Sequence, residues 1–293
     1  MKTNNIHTHA KRTMFALVLL FANAFVLATF AQKELTILHT NDTHSTIYPL
    51  SENLNDTSKA GRGGFIRRIA MLKEERQKNP DLLYFDSGDF SQGSAYYNEF
   101  KGEVEIQLMN RMKCDAATIG NHEFDFGLDN MARLFRMAKF PIVCANYDFT
   151  GTPVEGLVKP YIIMKRNGLK IGVFGLAPEM EGLVDVNKCQ GVKYLDPVKV
   201  ALETATMLKK QKKCDVVICI SHLGWDMSGG RMDDEEMMAG SRNIDVILGG
   251  HSHTYFEDLR YQNDLDGKAV PNDQNGKHGI FIGKLKLKFA KAK

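Results

Sequence analysis

Cysteine is sparse and unpatterned in this chain, with five residues among 293. The number is odd, and no spacing between the five matches a disulfide framework or a zinc knuckle, which argues against a small disulfide-stapled domain. Cys144 and Cys219 lie inside apolar runs, so we interpret these two as small buried hydrophobic residues. The sequence leaves the disulfide status of the five thiols and the oligomeric state open.

An excess of either charge is also missing once the first 31 residues are set aside. That segment carries Lys2, Lys11 and Arg12 but no acidic residue, so 35 basic and 35 acidic residues remain in the rest of the chain. A balanced charge gives no electrostatic reason to expect binding to a nucleic-acid polymer.

Long apolar runs are absent except for one at the N-terminus. Residues 1–31 combine a basic start with an apolar run over 14–31, and Thr29 and Ala31 occupy the small-residue positions before a cleavage point at Gln32. This pattern predicts a signal peptide, and therefore a periplasmic or secreted protein with no membrane attachment after cleavage. The alternative is an uncleaved anchor helix, because about 17 apolar or small residues approach the lower limit of a membrane span.

Short apolar runs rich in β-branched residues alternate with helical patterns along the rest of the chain. The runs are continuous, as expected of strands covered on both faces. This alternation predicts one α/β domain over residues 32–293. The predicted strands are 34–40, 81–88, 114–120, 140–146, 169–177, 215–223, 243–250 and an outer strand within 279–289. The predicted helices are 63–78, 104–112, 128–138 and 197–211, and the predicted surface loops are 49–60 and 261–278.

Groups that bind metals follow five of the predicted strands. In α/β sheets the carboxyl ends of the strands form one rim where ligands bind, so the loops there are neighbours in space. Imidazole and carboxylate together suit zinc, manganese, iron or cobalt, and there are too many ligands for a single tetrahedral ion. The sequence therefore predicts a site for two divalent ions. Its members are Asp42, His44, Asp89, Asn121, His122, Asp125, His222, His251 and His253.

Five ordered motifs carry a family resemblance. "D-x-H" at 42–44, "GD" at 88–89, "GNHE" at 120–123, a histidine after a strand at 222 and "GHSH" at 250–253 resemble the calcineurin-like metallophosphoesterases. The longer stretches "ILHTNDTHS" and "GNHEFDFG" resemble its exported 5′-nucleotidase and UDP-sugar hydrolase branch. The resemblance implies a four-layer α/β/β/α sandwich with two mostly parallel, facing sheets.

The resemblance also implies a role for each predicted site residue. Asp89 is expected to bridge the two ions. The expected ligands of the first ion are Asp42, His44 and His253, and those of the second ion are Asn121, His222 and His251. Some members of the branch carry glutamine where this chain has His253.

His122 is expected to contact the phosphoryl group without binding metal, and Asn121 is expected to contact the substrate as well. Asp125 is expected to orient the His122 ring. The implied reaction is hydrolysis of phosphomonoesters, 5′-nucleotides above all, by in-line attack of a metal-bound hydroxide.

Members of the branch continue into a nucleotide-specificity domain, and we expect that domain to be absent here because the chain stops at Lys293. Three alternatives stay open. The protein is a self-sufficient phosphohydrolase, a catalytic subunit that works with a separately encoded specificity-domain protein, or a metal-binding protein without turnover. Activity on 2′,3′-cyclic phosphodiesters or UDP-sugars is a further possibility.

Other polar residues have more ordinary interpretations. His39 is interpreted as a packed or supporting histidine, and His278 as solvated in a polar loop. Arg68 is assigned to a solvated helix face, opposite a stripe that contains Ile66. Glu123 receives no ligand role.

Overall fold

The structure is a computed structural model that describes residues 33–289, so the predicted signal peptide over residues 1–31 lies outside the described residues. Most of the strands belong to two sheets of six strands each. The described strands are β1 (Lys33–Thr40), β2 (Leu83–Asp86), β3 (Ala116–Ala117), β4 (Ile142–Val143), β5 (Tyr147–Asp148), β6 (Val158–Lys159), β7 (Tyr161–Arg166), β8 (Leu169–Leu176), β9 (Lys193–Tyr194), β10 (Val216–Ser221), β11 (Val246–Leu248), β12 (Arg260–Asn263), β13 (Ala269–Asp273) and β14 (Gly283–Phe289).

Parallel pairing aligns the ends of the strands that carry the predicted site. The first sheet has the order β14-β1-β2-β3-β4-β6, and its register sets Thr40 opposite Asp86 and Asp86 opposite Ala117. The second sheet has the order β12-β13-β11-β10-β8-β7, and Ile220 pairs with Leu248. Its edge strands β12 and β7 run antiparallel to their neighbours. The loops after β1, β2, β10 and β11 therefore leave their sheets at matching levels.

The two sheets face each other at close range. Ala145 donates its backbone N–H to Gly175 O across the interface at 2.8 Å, and Ser87 Oγ donates to Leu248 O at 2.8 Å. A Cβ at Gly175 would lie 2.0 Å from Val143 O, so only glycine allows this approach.

Helices cover the outer faces of both sheets. One buried cluster contains residues of the first three long helices, such as Phe65, Ile106 and Met131, together with Tyr84 of the first sheet. A second cluster joins Ala201 and Met237 to the apolar residues of the second sheet. The predicted α/β fold with four layers and two largely parallel sheets is therefore confirmed. The described helices are α1 (Phe65–Lys78), α2 (Ala95–Phe100), α3 (Glu103–Met112), α4 (Gly127–Met137), α5 (Pro197–Thr206) and α6 (Asp234–Ala239).

Capping residues explain where two of the helices begin. The Asp196 side chain accepts the backbone N–H groups of Val198 and Lys199, and Pro197 occupies the first turn of α5, where its missing N–H costs nothing. Asp233 accepts the Glu236 N–H at the start of α6. The predicted long helices agree with the structure to within two residues at their starts, whereas the six-residue helices α2 and α6 were not predicted.

Two sequence-based predictions are wrong. In α1 the buried positions are Phe65, Arg68 and Leu72, while Ile66 is 64% exposed. The helix therefore buries a face rotated from the predicted stripe, and the Arg68 guanidinium lies over the Phe65 ring at 3.8 Å. The predicted loop over 261–278 contains strands β12 and β13: β12 is the exposed edge of the second sheet, and β13, beside it, buries Asn272 and Asp273.

Residues Leu35–Leu287 form one compact unit. Within residues 33–289, no helix is both long enough and apolar enough to cross a membrane. All five cysteines are free thiols, and Cys144 and Cys219 are buried as predicted.

Candidate metal centre

Backbone hydrogen bonds fasten the strand-end loops to one another. Asp42 donates its N–H to Gly88 O at 3.0 Å, and His44 donates to Asp89 O at 3.0 Å. His251 donates its N–H to Asp42 Oδ2 at 2.9 Å, which connects the second sheet to the first. The loops from β1, β2 and β11 therefore form one rigid rim.

The predicted site residues converge at this rim. Three sets of side chains each bring their ligand atoms within 4.8 Å of one another. Asp89 belongs to two of the sets, and His44 also belongs to two. The sets are Asp42 with His44 and His253, His44 with Asp89 and His122, and Asp89 with His222 and His251.

Several of these residues adopt a backbone conformation that L-amino acids rarely occupy. Asp42, His44, Asp89, His251 and His253 all have φ between 42° and 75°. Left-handed backbone at non-glycine residues costs free energy and clusters at functional sites, where the surrounding structure maintains it. Five of the seven predicted ligands therefore point to a function that offsets this strain.

Glycines leave the room that the side chains need. A Cβ at Gly120 would lie 2.1 Å from Asp89 Oδ1, and one at Gly250 would lie 3.0 Å from His222 Nδ1. The glycines of "GNHE" and "GGHSH" thus serve to admit Asp89 and His222.

Two buried carboxylates set the charge at the centre of the site. His222 Nε2 lies 3.2 Å from Asp89 Oδ2 and 3.8 Å from Asp42 Oδ1. Burial acts to lower the pKa of His222, but the charges of Asp89 and Asp42 outweigh it and raise the pKa to about 10. Burial raises the pKa of Asp42 to about 7. Burial also acts to raise the pKa of Asp89, but His222 and the nearby imidazoles outweigh it and hold that pKa well below its usual range.

The other three histidines among the predicted ligands are neutral at physiological pH. Burial lowers the pKa of His44 and of His251 to about 3, and burial together with the charge of Lys277 lowers that of His253 to about 4. A neutral imidazole keeps the lone pair that a metal ion requires.

Unpartnered buried atoms support the presence of a cation. Within residues 33–289, Asp42 Oδ1, His44 Nδ1 and Asn121 Oδ1 are buried without a hydrogen-bond partner. Buried polar atoms are almost always paired, so unpartnered atoms on three of the predicted ligands point to a group that they bind. Carboxylate, amide and imidazole donors fit a divalent transition ion.

His122 and Asp125 form a pair beside the ligand cluster. The ring nitrogen His122 Nδ1 lies 3.1 Å from Asp125 Oδ2. The backbone N–H of His122 donates to Asp89 Oδ1 at 3.0 Å. Burial acts to lower the pKa of His122, but the hydrogen bond to Asp125 and the charge of Asp89 raise it above the ordinary value. The pair suits an imidazolium that faces an anion.

Sequence reasoning missed two residues that support the site. Glu123 is buried, and its carboxylate accepts the backbone N–H groups of Asp89, Ser91 and Gly120, which fixes the loop that carries Asp89. Its place inside "GNHE" was the available signal. His278 is half-buried rather than solvated, with its ring centroid 6.0 Å from that of His44, and it comes from the segment wrongly predicted to be a surface loop.

His39 occupies the supporting position that its pattern indicated. The ring is fully buried on β1, and Nε2 lies 2.8 Å from Asp273 Oδ2. Trp225 donates its backbone N–H to Ser252 Oγ at 3.1 Å and so braces the loop between His251 and His253.

Relatives of known identity share this architecture. The human 5′-nucleotidase is 30% identical to this chain, and the alignment covers 94% of this chain and 50% of the human protein. A 5′-nucleotidase precursor from Thermus thermophilus superposes with a TM-score of 0.79 at 30% identity, over 88% of this chain and 52% of that chain. The calcineurin-like phosphoesterase YfkN from Bacillus subtilis superposes with a TM-score of 0.72 at 27% identity, over 89% of this chain and 87% of that chain. The chain spans about half the length of the curated relatives it matches first.

A match to a protein-family model covers the residues of the site. Residues 35–255 match the model for calcineurin-like phosphoesterases, a span that contains every predicted ligand from Asp42 to His253. The family and the class of enzyme predicted from the motifs are confirmed by this match. The chain belongs to the calcineurin-like phosphoesterase family.

Proposed function

We propose that this protein hydrolyses phosphomonoesters, with 5′-nucleotides as its main substrates, at a centre that holds two divalent metal ions. The observation that carries the proposal is the overlap of the three sets of side chains, because Asp89 lies with His222 and His251 and also with His44, which in turn lies with Asp42 and His253. A carboxylate with two oxygens can bridge a pair of ions about 3.5–4 Å apart.

The ligands divide between the two ions as follows. Asp42, His44 and His253 would hold one ion, Asn121, His222 and His251 would hold the other, and Asp89 would serve both. Bound divalent ions of this kind lower the pKa of water and balance the charge on a phosphoryl group. Zinc, manganese, iron and cobalt all suit this donor set.

The remaining roles belong to the side chains of the protein. His122, kept protonated by Asp125, binds a phosphoryl oxygen and donates a proton to the leaving alkoxide. Asn121 orients the phosphoryl group from the adjacent position. Asp125 holds the His122 ring in place and stabilises its positive charge.

The nucleotide preference is supported by the identity of the relatives, two of which are named as 5′-nucleotidases. UDP-sugars and 2′,3′-cyclic phosphodiesters are the alternative substrates, and a separately encoded specificity-domain protein is the alternative source of nucleotide selection. We further propose that residues 1–31 direct export to the periplasm or the medium. N-terminal sequencing of the exported protein tests this, and a chain that begins at Gln32 is expected.

A substrate panel tests the activity directly. Protein loaded with manganese or zinc is assayed on AMP, UDP-glucose, a 2′,3′-cyclic nucleotide and an aryl phosphate, and the ions are counted by elemental analysis. We expect two ions per chain and the highest kcat/KM on AMP. Good turnover of the aryl phosphate with poor saturation by AMP favours dependence on a partner, and two ions without any turnover identify a metal-binding protein.

His122→Ala tests the division of roles. We expect turnover to fall by about 100-fold or more, the usual contribution of a general acid, while two ions stay bound. Wild-type turnover in this variant contradicts the assigned role, and loss of an ion shows that His122 is a ligand instead.

A further inference from the structure

A short turn over residues 275–279 is fastened to the loop that carries Asp42. Asn275 donates its N–H to Asn41 Oδ1 at 2.9 Å, and Asn41 Nδ2 donates to Gly276 O at 2.7 Å. The His278 N–H donates to Asp42 O at 2.7 Å. The backbone on both sides of Lys277 is therefore bonded to the two residues at the start of the candidate metal centre.

The turn is also connected to the loop that carries His253, and its shape is fixed. Gly276 donates its N–H to Thr254 O at 2.9 Å. Gly276, His278 and Gly279 all have φ between 59° and 67°, and a Cβ at Gly279 would lie 3.0 Å from Cζ of the buried Arg68. The turn packs on Arg68 from one side and forms hydrogen bonds with the loops that carry Asp42 and His253. The main chain at Lys277 is therefore held in place.

Several lysines in the described part of the chain form ion pairs, and others, including Lys277, do not. Lys59, Lys268 and Lys284 each form an ion pair, with Asp56, Asp245 and Glu75 respectively. No carboxylate in the described part of the chain forms an ion pair with Lys277, whose side chain is exposed.

Lys277 lies beside the candidate metal centre. The ring centroid of its neighbour His278 is 6.0 Å from that of His44, and His278 Nδ1 lies 3.2 Å from Thr46 Oγ1. A cation in this turn, with no carboxylate partner among the described residues, is available to an anion that enters the site.

We infer that Lys277 binds the phosphate group of the substrate at the His253 edge of the metal centre. The inference rests on the proposed function for the identity of the substrate. Lys277 is a binding residue in this account: it meets phosphate oxygens through its ammonium group and forms or breaks no bond. Because it contacts the phosphate in the ground state and the transition state alike, it should affect KM more than kcat.

The test compares Lys277→Ala and Lys277→Arg with Lys210→Ala. Lys210 is exposed and lies in the helical segment before β10, at the opposite end of that strand from His222, so its removal changes the net charge equally. Each manganese-loaded protein is assayed on AMP and p-nitrophenyl phosphate, and inorganic phosphate is titrated by calorimetry.

We expect Lys277→Ala to raise KM for both esters and to weaken phosphate binding by about tenfold, with kcat within about twofold of wild type. Lys277→Arg should recover most of the loss, because it keeps the cation, and Lys210→Ala should match wild type. Equal KM values and equal phosphate affinity in Lys277→Ala and Lys210→Ala overturn the inference.

The phosphate titration separates this inference from the proposed function. If wild-type protein hydrolyses no phosphomonoester, the proposed function fails, yet a selective loss of phosphate affinity in Lys277→Ala still supports an anion site at Lys277. If the wild type is active and Lys277→Ala binds phosphate normally, only the inference about Lys277 fails.

Discussion

The candidate metal centre has a closed side and an open side. On the closed side the side chains of Asp42, Asp89 and His222 are 0%, 2% and 0% exposed. On the open side those of His122 and His253 are 31% and 36% exposed. One side is sealed between the two sheets, and the other meets solvent.

The pKa values of the histidines differ between the two sides. The carboxylates outweigh burial and raise the pKa of His222 on the closed side to about 10, whereas burial and the charge of Lys277 lower the pKa of His253 on the open side to about 4. The same side-chain type is thus charged in one place and neutral in the other when no ion is bound. This difference supports the proposal that the closed side would anchor the ions and the open side would admit the substrate.

The largest effect is expected at Asp89, which lies on the closed side and belongs to two of the three sets of clustered side chains. Asp89→Asn removes the negative charge that both proposed ions would share. Loss of a residue that only orients a metal ligand lowers activity by up to about 100-fold, so loss of this carboxylate should lower turnover by more than that. Elemental analysis should find fewer than two ions. Asp81→Asn, an exposed change of equal charge before β2, is the control, and two bound ions in Asp89→Asn would refute the bridging role.

A pair of alanine variants compares the two sides directly. His222→Ala leaves Asp42 and Asp89 buried without the imidazolium that faces them. This should lower the free energy of unfolding of the metal-free protein by about 3–5 kcal/mol. His253→Ala should cost less than about 1 kcal/mol, because its ring is partly solvated and neutral. Urea unfolding in EDTA measures both, with His222→Gln as a substitute if the alanine variant does not fold. Equal losses would remove the distinction between the sides.

Glu123 offers an intermediate effect, because it supports the closed side without belonging to it. Glu123→Gln replaces one of the two acceptor oxygens that receive three backbone N–H groups, so the Asp89 loop should loosen. We expect metal affinity to fall by about 10-fold to 100-fold, as for other residues that orient a ligand. Competition with a fluorescent chelator measures this affinity. An unchanged affinity would limit Glu123 to packing.

A small effect on stability, and none on metal binding, is expected at Asp245, a carboxylate whose partners are lysines of the protein. Oδ2 lies 2.7 Å from Lys209 Nζ and accepts the Val217 N–H, and Oδ1 lies 2.9 Å from Lys268 Nζ. Burial acts to raise the pKa of Asp245, but the two lysines outweigh it and hold the pKa below its usual range. Asp245→Asn should cost about 1 kcal/mol at pH 7.

The sign of the pH dependence follows from that lowered pKa. Since the folded pKa lies below the unfolded value, the stabilisation is present above the unfolded pKa near 3.8 and is lost as pH falls through the folded pKa. Urea unfolding at pH 7 and pH 3 should therefore show a smaller gap between wild type and Asp245→Asn at pH 3. EDTA should lower the stability of both proteins equally, and unequal losses would tie Asp245 to the metal centre.

Motif reasoning worked where chemistry and chain order coincide. Asp42, Asp89 and His222 each follow a strand, and parallel pairing obliges such residues to meet at one rim. It did not work for Arg68 and Ile66, because amphipathic spacing does not say which edge of a helix faces the sheet. It also did not find β12, an exposed edge strand, or β13, whose buried positions include the polar residues Asn272 and Asp273, because neither strand has the apolar pattern of the other buried strands.

The sequence by itself determined the order of the long helices and of the buried apolar strands, and the residue types at the strand ends, because both are local properties of the chain. Only the tertiary structure decided which imidazoles are charged, because that depends on carboxylates from other loops and on burial. The tertiary structure also placed the turn over residues 275–279 beside the loop that carries Asp42, through hydrogen bonds between residues more than 200 positions apart. Lys277 owes its position to those bonds, and no local pattern in "NGKHG" records them.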